Sequence, residues 1–279
     1  MRADPRAQMA ARLAPDASAT LRIMAEAAAA AGAGLMRAAE DIAGLGIEEK
    51  TTGDFVSDAD RAAEETIARM LSQAFPTHGW LGEESGARQV TEDGPRFIVD
   101  PLDGTTNFLK GLPHWAVSIA LYQGEAPLCA IIHDPVKRET FSAERGRGAF
   151  LNGRAITVSP PARMATQLLA TGVPSGGRIT YLEHCLTDLG TLMPQTAGIR
   201  RWGAAALDLA YVAAGRLDAY WERNLGPWDI AAGMLIVEEA GGMIAPLWPE
   251  RIALQSGSIL AGHRDSVAAL LPSLDRRMA

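Results

Sequence analysis

Two carboxylates three residues apart follow a short apolar run in the first half of the chain. Residues 97–99 lead into the sequence DPLDGT at positions 100–105, and the apolar run predicts a buried strand. The proline restricts the backbone at the start of the turn, and Gly104 allows a positive φ at its end, which suits a loop that holds a metal ion. The following Thr-Thr-Asn run predicts a helix start whose free N–H groups favour an anion. Metal and anion together predict phosphoryl transfer, and a capped surface turn with solvated acids is the alternative.

Three further acids border apolar stretches. Asp60 lies near the start of a predicted helix, Glu83 ends a short apolar segment, and Asp229 lies in the first turn of an apolar helix. Each acid alone is typical of a helix cap or a solvated side chain. If Glu83 and Asp229 converge with the two acids of the loop, like-charge repulsion requires cations there. Oxygen ligands without His or Cys favour Mg²⁺ over Zn²⁺.

The elements that must position these acids change character along the chain. Two helices and a mostly antiparallel sheet are predicted before residue 160, with Asn152-Gly153 as a hairpin turn. Strands and helices alternate afterwards, which predicts a second, mixed layer and an α+β or α/β fold class. The predicted helices span residues 21–43, 59–75, 179–192, 204–215, 228–240 and 263–278.

Composition excludes several classes of protein. A net charge of −7 over 279 residues and the lack of a basic patch disfavour a nucleic-acid binder. No apolar run reaches the roughly 18 residues of a membrane span, and residues 1–17 lack the apolar segment of a secretory signal. We expect a flexible tail over 1–17 and one domain over 18–279, with a front half (18–160) and a back half (161–279). Cys129 and Cys185 are expected to be buried and reduced, as in a cytoplasmic protein.

Three separated motifs resemble the signatures of the inositol monophosphatase family. They are GEES at 82–85, DPLDGTTNF at 100–108 and WDIAAG at 228–233, and the resemblance runs from Leu21 to the C-terminus. It implies a layered αβαβα sandwich of the sugar-phosphatase type, with an antiparallel front sheet and a mixed second sheet. Phosphatases of the haloacid-dehalogenase type carry acids two residues apart and a lysine-led motif, which this chain lacks.

The resemblance also implies roles for the acids. Glu83, Asp100 and the Leu102 carbonyl would hold one Mg²⁺. A second would be held by Asp100, Asp103 and Asp229, and a third by Glu83 through water. Glu83 and Thr105 would orient the attacking water, with Asp60 making the Thr105 hydroxyl a better proton acceptor. Lys50 matches a family lysine near the metals, and a solvated loop lysine is its alternative.

The substrate side follows from the same resemblance. The N–H groups of Gly104 and Thr105 would receive the phosphate, and a Gly-Thr-Ala-like turn and two further acids would receive a sugar ring. In this chain Ala204 replaces the usual threonine, and a surface Glu222 paired with Arg223 is the alternative for that acid. The implied ring-binding residues are Asp103, Gly203, Ala204, Ala205, Glu222 and Asp229.

The residues after the loop glycine favour one substrate class. Thr106-Asn107-Phe108 is similar to the inositol phosphatases and predicts myo-inositol 1-phosphate as the substrate. Fructose 1,6-bisphosphate, histidinol phosphate and nucleotide phosphates remain alternatives. A regulatory protein of the transcription machinery or RNA is an alternative of another class. The family resemblance also implies a homodimer.

Overall fold

The chain folds into eight helices and fifteen strands within the residues that the computed structural model describes, which are 9, 12–51, 54–89, 91, 93–173, 179–248 and 253–276. The helices are α1 (Ala19–Ala38), α2 (Asp58–Ala74), α3 (Thr105–Leu109), α4 (Leu182–Leu192), α5 (Ala205–Ala213), α6 (Pro227–Glu239), α7 (Ala253–Ser256) and α8 (Arg264–Leu270). The strands of the front half are β1 (Ile47–Thr51), β2 (Asp54–Ser57), β3 (Gly79–Gly82), β4 (Gly86–Arg88), β5 (Pro95–Asp103), β6 (Ala116–Gln123), β7 (Ala126–Asp134), β8 (Glu139–Glu144), β9 (Ala149–Leu151) and β10 (Arg154–Ile156). Those of the back half are β11 (Leu168–Thr171), β12 (Gly198–Arg200), β13 (Ala219–Glu222), β14 (Met243–Pro246) and β15 (Ile259–Gly262).

The front sheet has eight strands in the order β10-β9-β8-β7-β6-β5-β3-β4. Neighbouring strands are antiparallel except β3 and β5, which run parallel. Side chains alternate between its faces as strand geometry requires. Phe97 and Val99 pack with α1 and α2 on one face, and Ile98 packs with α5 and α6 on the other. The prediction of a mostly antiparallel front sheet is confirmed.

The second sheet has five strands in the order β12-β11-β13-β15-β14. Strand β11 is parallel to both of its neighbours, and the two remaining pairs are antiparallel. Helices α5 and α6 fill the space between the sheets, and α4 and α8 cover the outer face. The layer order is therefore helix, sheet, helix, sheet, helix, as predicted.

Helix ends differ from the predictions made from hydrophobic periodicity. The first helix stops at Ala38 and continues as a 3₁₀ turn over Ala39–Gly44, where Asp41 leaves helical geometry. The last one stops at Leu270 and passes into a 3₁₀ turn containing Pro272. The predicted helix from residue 179 begins only at Leu182. Periodicity of apolar residues does not separate α from short 3₁₀ segments, so such ends are poorly predicted.

The N-terminal segment packs against the front sheet in the part that the structure describes. Leu13, Ala14 and Ala17 are buried, and the Arg12 guanidinium donates to the Arg138 carbonyl at 2.8 Å. The predicted flexible tail therefore does not extend over residues 12–17, and residues 1–8, 10 and 11 lie outside the described part. Both cysteines are buried and unbridged, as predicted. Within the described residues, no helix has the length and apolar character needed to cross a bilayer.

Candidate active site

A β-bulge brings the two acids of the central loop to one place. Residues three apart on a regular strand point to opposite faces of the sheet. Here Asp100 pairs with Ser118 and Asp103 pairs with Ala116, so three steps along β5 match two along β6. The extra residue turns both carboxylates to the same side. Gly104 then ends the strand at φ 95°, and a Cβ atom there would lie 3.0 Å from the His114 carbonyl oxygen.

Helix α6 supplies the third acid from the back half of the chain. Asp229 lies in its first turn, where its carboxylate accepts the Gly226 N–H at 2.6 Å. The carboxylates of Asp100, Asp103 and Asp229 each offer an oxygen within 4.8 Å of the other two. These three residues are called the acid cluster below. The predicted convergence of β5 and α6 is therefore present.

Glu83 reaches the acid cluster from the turn between β3 and β4. It is not one of the three acids within 4.8 Å of one another, but its carboxyl group lies close enough to those of Asp100 and Asp229 to interact with them electrostatically. Lys50 lies 3.3 Å from the Glu83 carboxylate and 2.7 Å from that of Glu84. Burial lowers the pKa of Lys50, whereas the two glutamates raise it. The net result is a raised pKa. Lys50 thus contacts the site through Glu83.

Burial makes these acids hard to ionise together. Asp100 and Asp103 are 1% and 7% exposed, and among the described residues no Lys or Arg nitrogen lies within 4.0 Å of either carboxylate. Burial first, then the neighbouring acids, holds the pKa of both groups well above its usual range. Burial also raises the pKa of Glu83, against the effect of Lys50. A divalent cation would remove this repulsion, and a set of carboxylate oxygens fits Mg²⁺.

Asp60 fixes the hydroxyl group of Thr105. Asp60 is fully buried at the start of α2, where its Oδ2 accepts the backbone N–H and the hydroxyl of Ser57 at 2.8 and 2.5 Å. The Thr105 Oγ1 lies 2.9 Å from Asp60 Oδ1 and 3.1 Å from the Leu102 carbonyl oxygen. Burial raises the pKa of Asp60, and hydrogen bonds from Ser57 and Thr105 oppose it. A hydroxyl that donates to Asp60 can still accept a hydrogen bond through its oxygen.

A cavity of about 510 Å³ opens over the acid cluster, a volume typical of small-molecule sites. Asn107 shapes one side, because its amide donates to the carbonyl oxygens of His114 and Trp202, both at 2.8 Å. Asp60 and Lys50 lie behind the lining and act on it through Thr105 and Glu83. The predicted residues that line the cavity are Glu83, Asp100, Leu102, Asp103, Gly104, Thr105, Gly203, Ala204, Ala205, Glu222 and Asp229.

Glu222 and Arg223, which line the cavity, make contacts that the sequence pattern did not predict. The Tyr220 hydroxyl donates to Glu222 at 2.5 Å, whereas Arg223 binds the Asp188 carboxylate at 2.5 Å. The described contacts thus assign Arg223 to Asp188 rather than to Glu222.

Asp208 is 1% exposed on α5, and its Oδ1 has no hydrogen-bond partner among the described residues. Burial, then Glu222 and Asp103, raises its pKa well above the usual range. The sequence signal for Asp208 was that it is the single acid in an otherwise apolar helix.

Comparisons with known proteins agree over nearly the whole chain. A family model described as the inositol monophosphatase family matches residues 16–278. The Nus factor SuhB of Pseudomonas aeruginosa is 46% identical over 91% of this chain and 95% of its own length. The inositol-1-monophosphatase of Mesorhizobium japonicum is 42% identical over 94% of this chain and 98% of its own. The crystal structure of the extragenic suppressor protein SuhB from Bartonella henselae superposes with a TM-score of 0.89, at 43% identity over 94% of this chain and all of that one.

Proposed function

The chain belongs to the inositol monophosphatase family, and on this premise we propose that it is a Mg²⁺-dependent phosphatase that hydrolyses the phosphate monoester of a small polyol. The preferred substrate is myo-inositol 1-phosphate, and the products are inositol and phosphate. The observation that carries the proposal is the acid cluster, in which β5 and α6 bring carboxylate oxygens within 4.8 Å of one another. The buried acids Asp100 and Asp103 have no cationic side chain within 4.0 Å among the described residues.

The residues around the acid cluster fit a site for divalent cations. Glu83, Asp100 and the Leu102 carbonyl would hold one ion, and the acid cluster would hold another. When bound, Mg²⁺ would acidify a ligated water and neutralise charge on the phosphate. The Thr105 hydroxyl donates to Asp60, and its oxygen would accept a hydrogen bond from the attacking water. Glu83 would help to orient the same water, with Lys50 contributing positive charge 3.3 Å from its carboxylate.

The remaining cavity residues are proposed to bind the substrate. The N–H groups of Gly104 and Thr105 would receive phosphate oxygens. Ring hydroxyls would donate to Asp103, Asp229 and Glu222. Ala204 is buried and contributes no hydroxyl, so this turn offers the polyol only backbone groups. The set of acceptors suits a ligand with several hydroxyls more than a purine base.

Phosphate release across a panel of substrates tests the proposal. The panel contains myo-inositol 1-phosphate, fructose 1,6-bisphosphate, histidinol phosphate and adenosine 3′,5′-bisphosphate, each with and without Mg²⁺. Mg²⁺-dependent turnover led by inositol phosphate is the expected result. A different preferred substrate would retain the metal mechanism and correct the specificity. No turnover on any of the four would contradict the proposal.

A second candidate function rests on the 46% identity with a protein named as a Nus factor. A transcription-related role would operate beside the phosphatase activity, although a net charge of −7 disfavours direct binding to nucleic acid. Co-purification of RNA polymerase with both wild type and Asp103→Asn would support a role independent of catalysis. We further propose that the protein is cytoplasmic and forms a homodimer. Analytical ultracentrifugation would test the homodimer.

A further inference from the structure

Helix α2 carries a second buried carboxylate one turn after Asp60. Glu64 is 4% exposed, and its Oε2 accepts the backbone N–H of Glu84 at 2.9 Å. Residues four apart lie on the same face of a helix, so Asp60 and Glu64 point in similar directions. Asp60 binds Thr105 beyond the end of β5, and Glu64 binds the turn after β3. One helix face therefore contacts two different loops of the active site.

The turn that Glu64 contacts is tightly built. A Cβ atom on Gly82 would lie only 2.6 Å from Glu64 Oε2, so the carboxylate packs directly on the backbone of this residue. The N–H of Glu83 donates to the Val99 carbonyl at 3.1 Å, while the next N–H, that of Glu84, goes to Glu64. The backbone on either side of the Glu83 side chain is thus fixed by β5 and by α2.

The position of the Glu83 carboxylate depends on this backbone. Its carboxylate lies 3.3 Å from Lys50 and interacts electrostatically with Asp100, and both contacts need the turn in its present place. Without Glu64, the part-buried N–H of Glu84 would lose its partner and the turn would move.

We propose that Glu64 is a positioning residue, which holds the β3–β4 turn so that Glu83 presents its carboxylate beside Asp100 to a divalent cation. The inference rests on the proposed function, because it concerns the metal site of that function. Residues that support metal ligands without touching the metal commonly change affinity by about 10- to 100-fold when they are replaced.

Direct binding of Mn²⁺ without substrate tests the proposal. Isothermal titration should give a Kd raised about tenfold in Glu64→Ala. Glu65→Ala is the matched control, because Glu65 is exposed on the same helix, and it should bind as wild type. Glu64→Gln keeps a hydrogen-bond acceptor of the same length and should bind nearly normally. Glu64→Asp is one methylene too short and should bind as weakly as Glu64→Ala.

Turnover gives a second readout. In Glu64→Ala the Mg²⁺ concentration for half-maximal activity should rise, while kcat at saturating Mg²⁺ approaches that of wild type. Equal Mn²⁺ affinity of Glu64→Ala and Glu65→Ala would overturn the proposal. If Glu64→Ala does not fold, normal binding by Glu64→Asp together with weak binding by Glu64→Gln would overturn it. Mn²⁺ binding by a wild type that hydrolyses no substrate would contradict the proposed function alone.

Discussion

Two groups of buried acids in this protein differ in how their negative charge is balanced. Asp188 is fully buried on α4, and its Oδ2 accepts the Arg223 guanidinium at 2.5 Å and the Trp221 indole N–H at 3.0 Å. Its Oδ1 accepts the Asp275 N–H at 2.7 Å. This carboxylate therefore has a cation and two further donors, and it joins α4 and β13 to the C-terminal segment.

Asp100 and Asp103 are also buried, but among the described residues no Lys or Arg nitrogen lies within 4.0 Å of either carboxylate. Each accepts one backbone N–H, from Leu102 at 2.9 Å and from Ala206 at 2.7 Å. The comparison shows that burial alone does not mark a functional acid. The distinguishing feature is whether the protein supplies the balancing positive charge itself. For Asp100 and Asp103 no Lys or Arg nitrogen lies within 4.0 Å among the described residues, so the proposed source of the charge is a bound cation.

The largest effect is expected from removing one charge of the acid cluster. Asp103→Asn should lower kcat by at least about two orders of magnitude, because one metal ligand is lost. The metal-free variant should be at least as stable as wild type, since repulsion with Asp229 decreases and the Ala206 contact can persist. Phosphate release and thermal unfolding measure the two effects, with Glu40→Gln, an exposed site, as control. Near-normal activity would contradict the metal assignment.

The opposite effect on stability is expected at Asp188, whose charge is balanced by Arg223. Asp188→Ala should lower the free energy of unfolding by about 3–5 kcal/mol, because a guanidinium that is 1% exposed would lose its counter-charge. Urea denaturation measures this. Replacing both partners, as in Asp188→Leu with Arg223→Met, should recover most of the loss, since the desolvation of both charges is then removed. If Asp188→Ala proves as stable as wild type, the contrast between the two groups does not hold.

The smallest expected effect concerns pH. The pKa values of Asp100 and Asp103 are raised above 3.8 in the folded protein, so the folded state binds their protons more tightly than the unfolded chain. Without metal, their contribution to stability is therefore largest at low pH and falls as pH rises from 3.8 through the folded-state pKa. Mg²⁺ should restore this loss, with about 2–3 kcal/mol at a hundredfold excess over Kd.

Thermal unfolding of wild type and Asp103→Asn, with and without Mg²⁺ at about pH 5.5 and about pH 8, isolates this contribution. The stabilisation by Mg²⁺ should be greater at the higher pH in wild type and small at both in the variant. Equal stabilisation of wild type at the two pH values would count against the raised pKa values.

Much of this site was predictable because its residues carry local signals. The apolar run before Asp100, Asp60 near the start of α2, and Asp229 in a first helical turn each follow from neighbouring residue types. The αβαβα layering followed from the family resemblance. For the three acids, the sequence pattern and the structural feature occupy the same short stretch of chain.

The features that were missed depend on residues far apart in the chain. The β5 bulge depends on pairing with β6, and the periodicity of β5 alone does not reveal it. Asp188 and Glu64 resemble ordinary helical acids until Arg223 and the Glu84 N–H are placed beside them. The packing of residues 12–17 likewise depends on distant partners such as Arg138. Long-range contacts leave no mark in the local sequence.

The contacts between the two halves also bear on how the protein is made. The Ala206 N–H and the Asp103 carboxylate are 103 residues apart in the chain, and Asn107 and Trp202 are 95 apart. Such separations raise the contact order and slow folding. Because synthesis proceeds from the N-terminus, β5 leaves the ribosome well before α6 exists. The acid cluster is therefore completed late in biosynthesis, and no truncated chain that stops before Asp229 would contain all three of its acids.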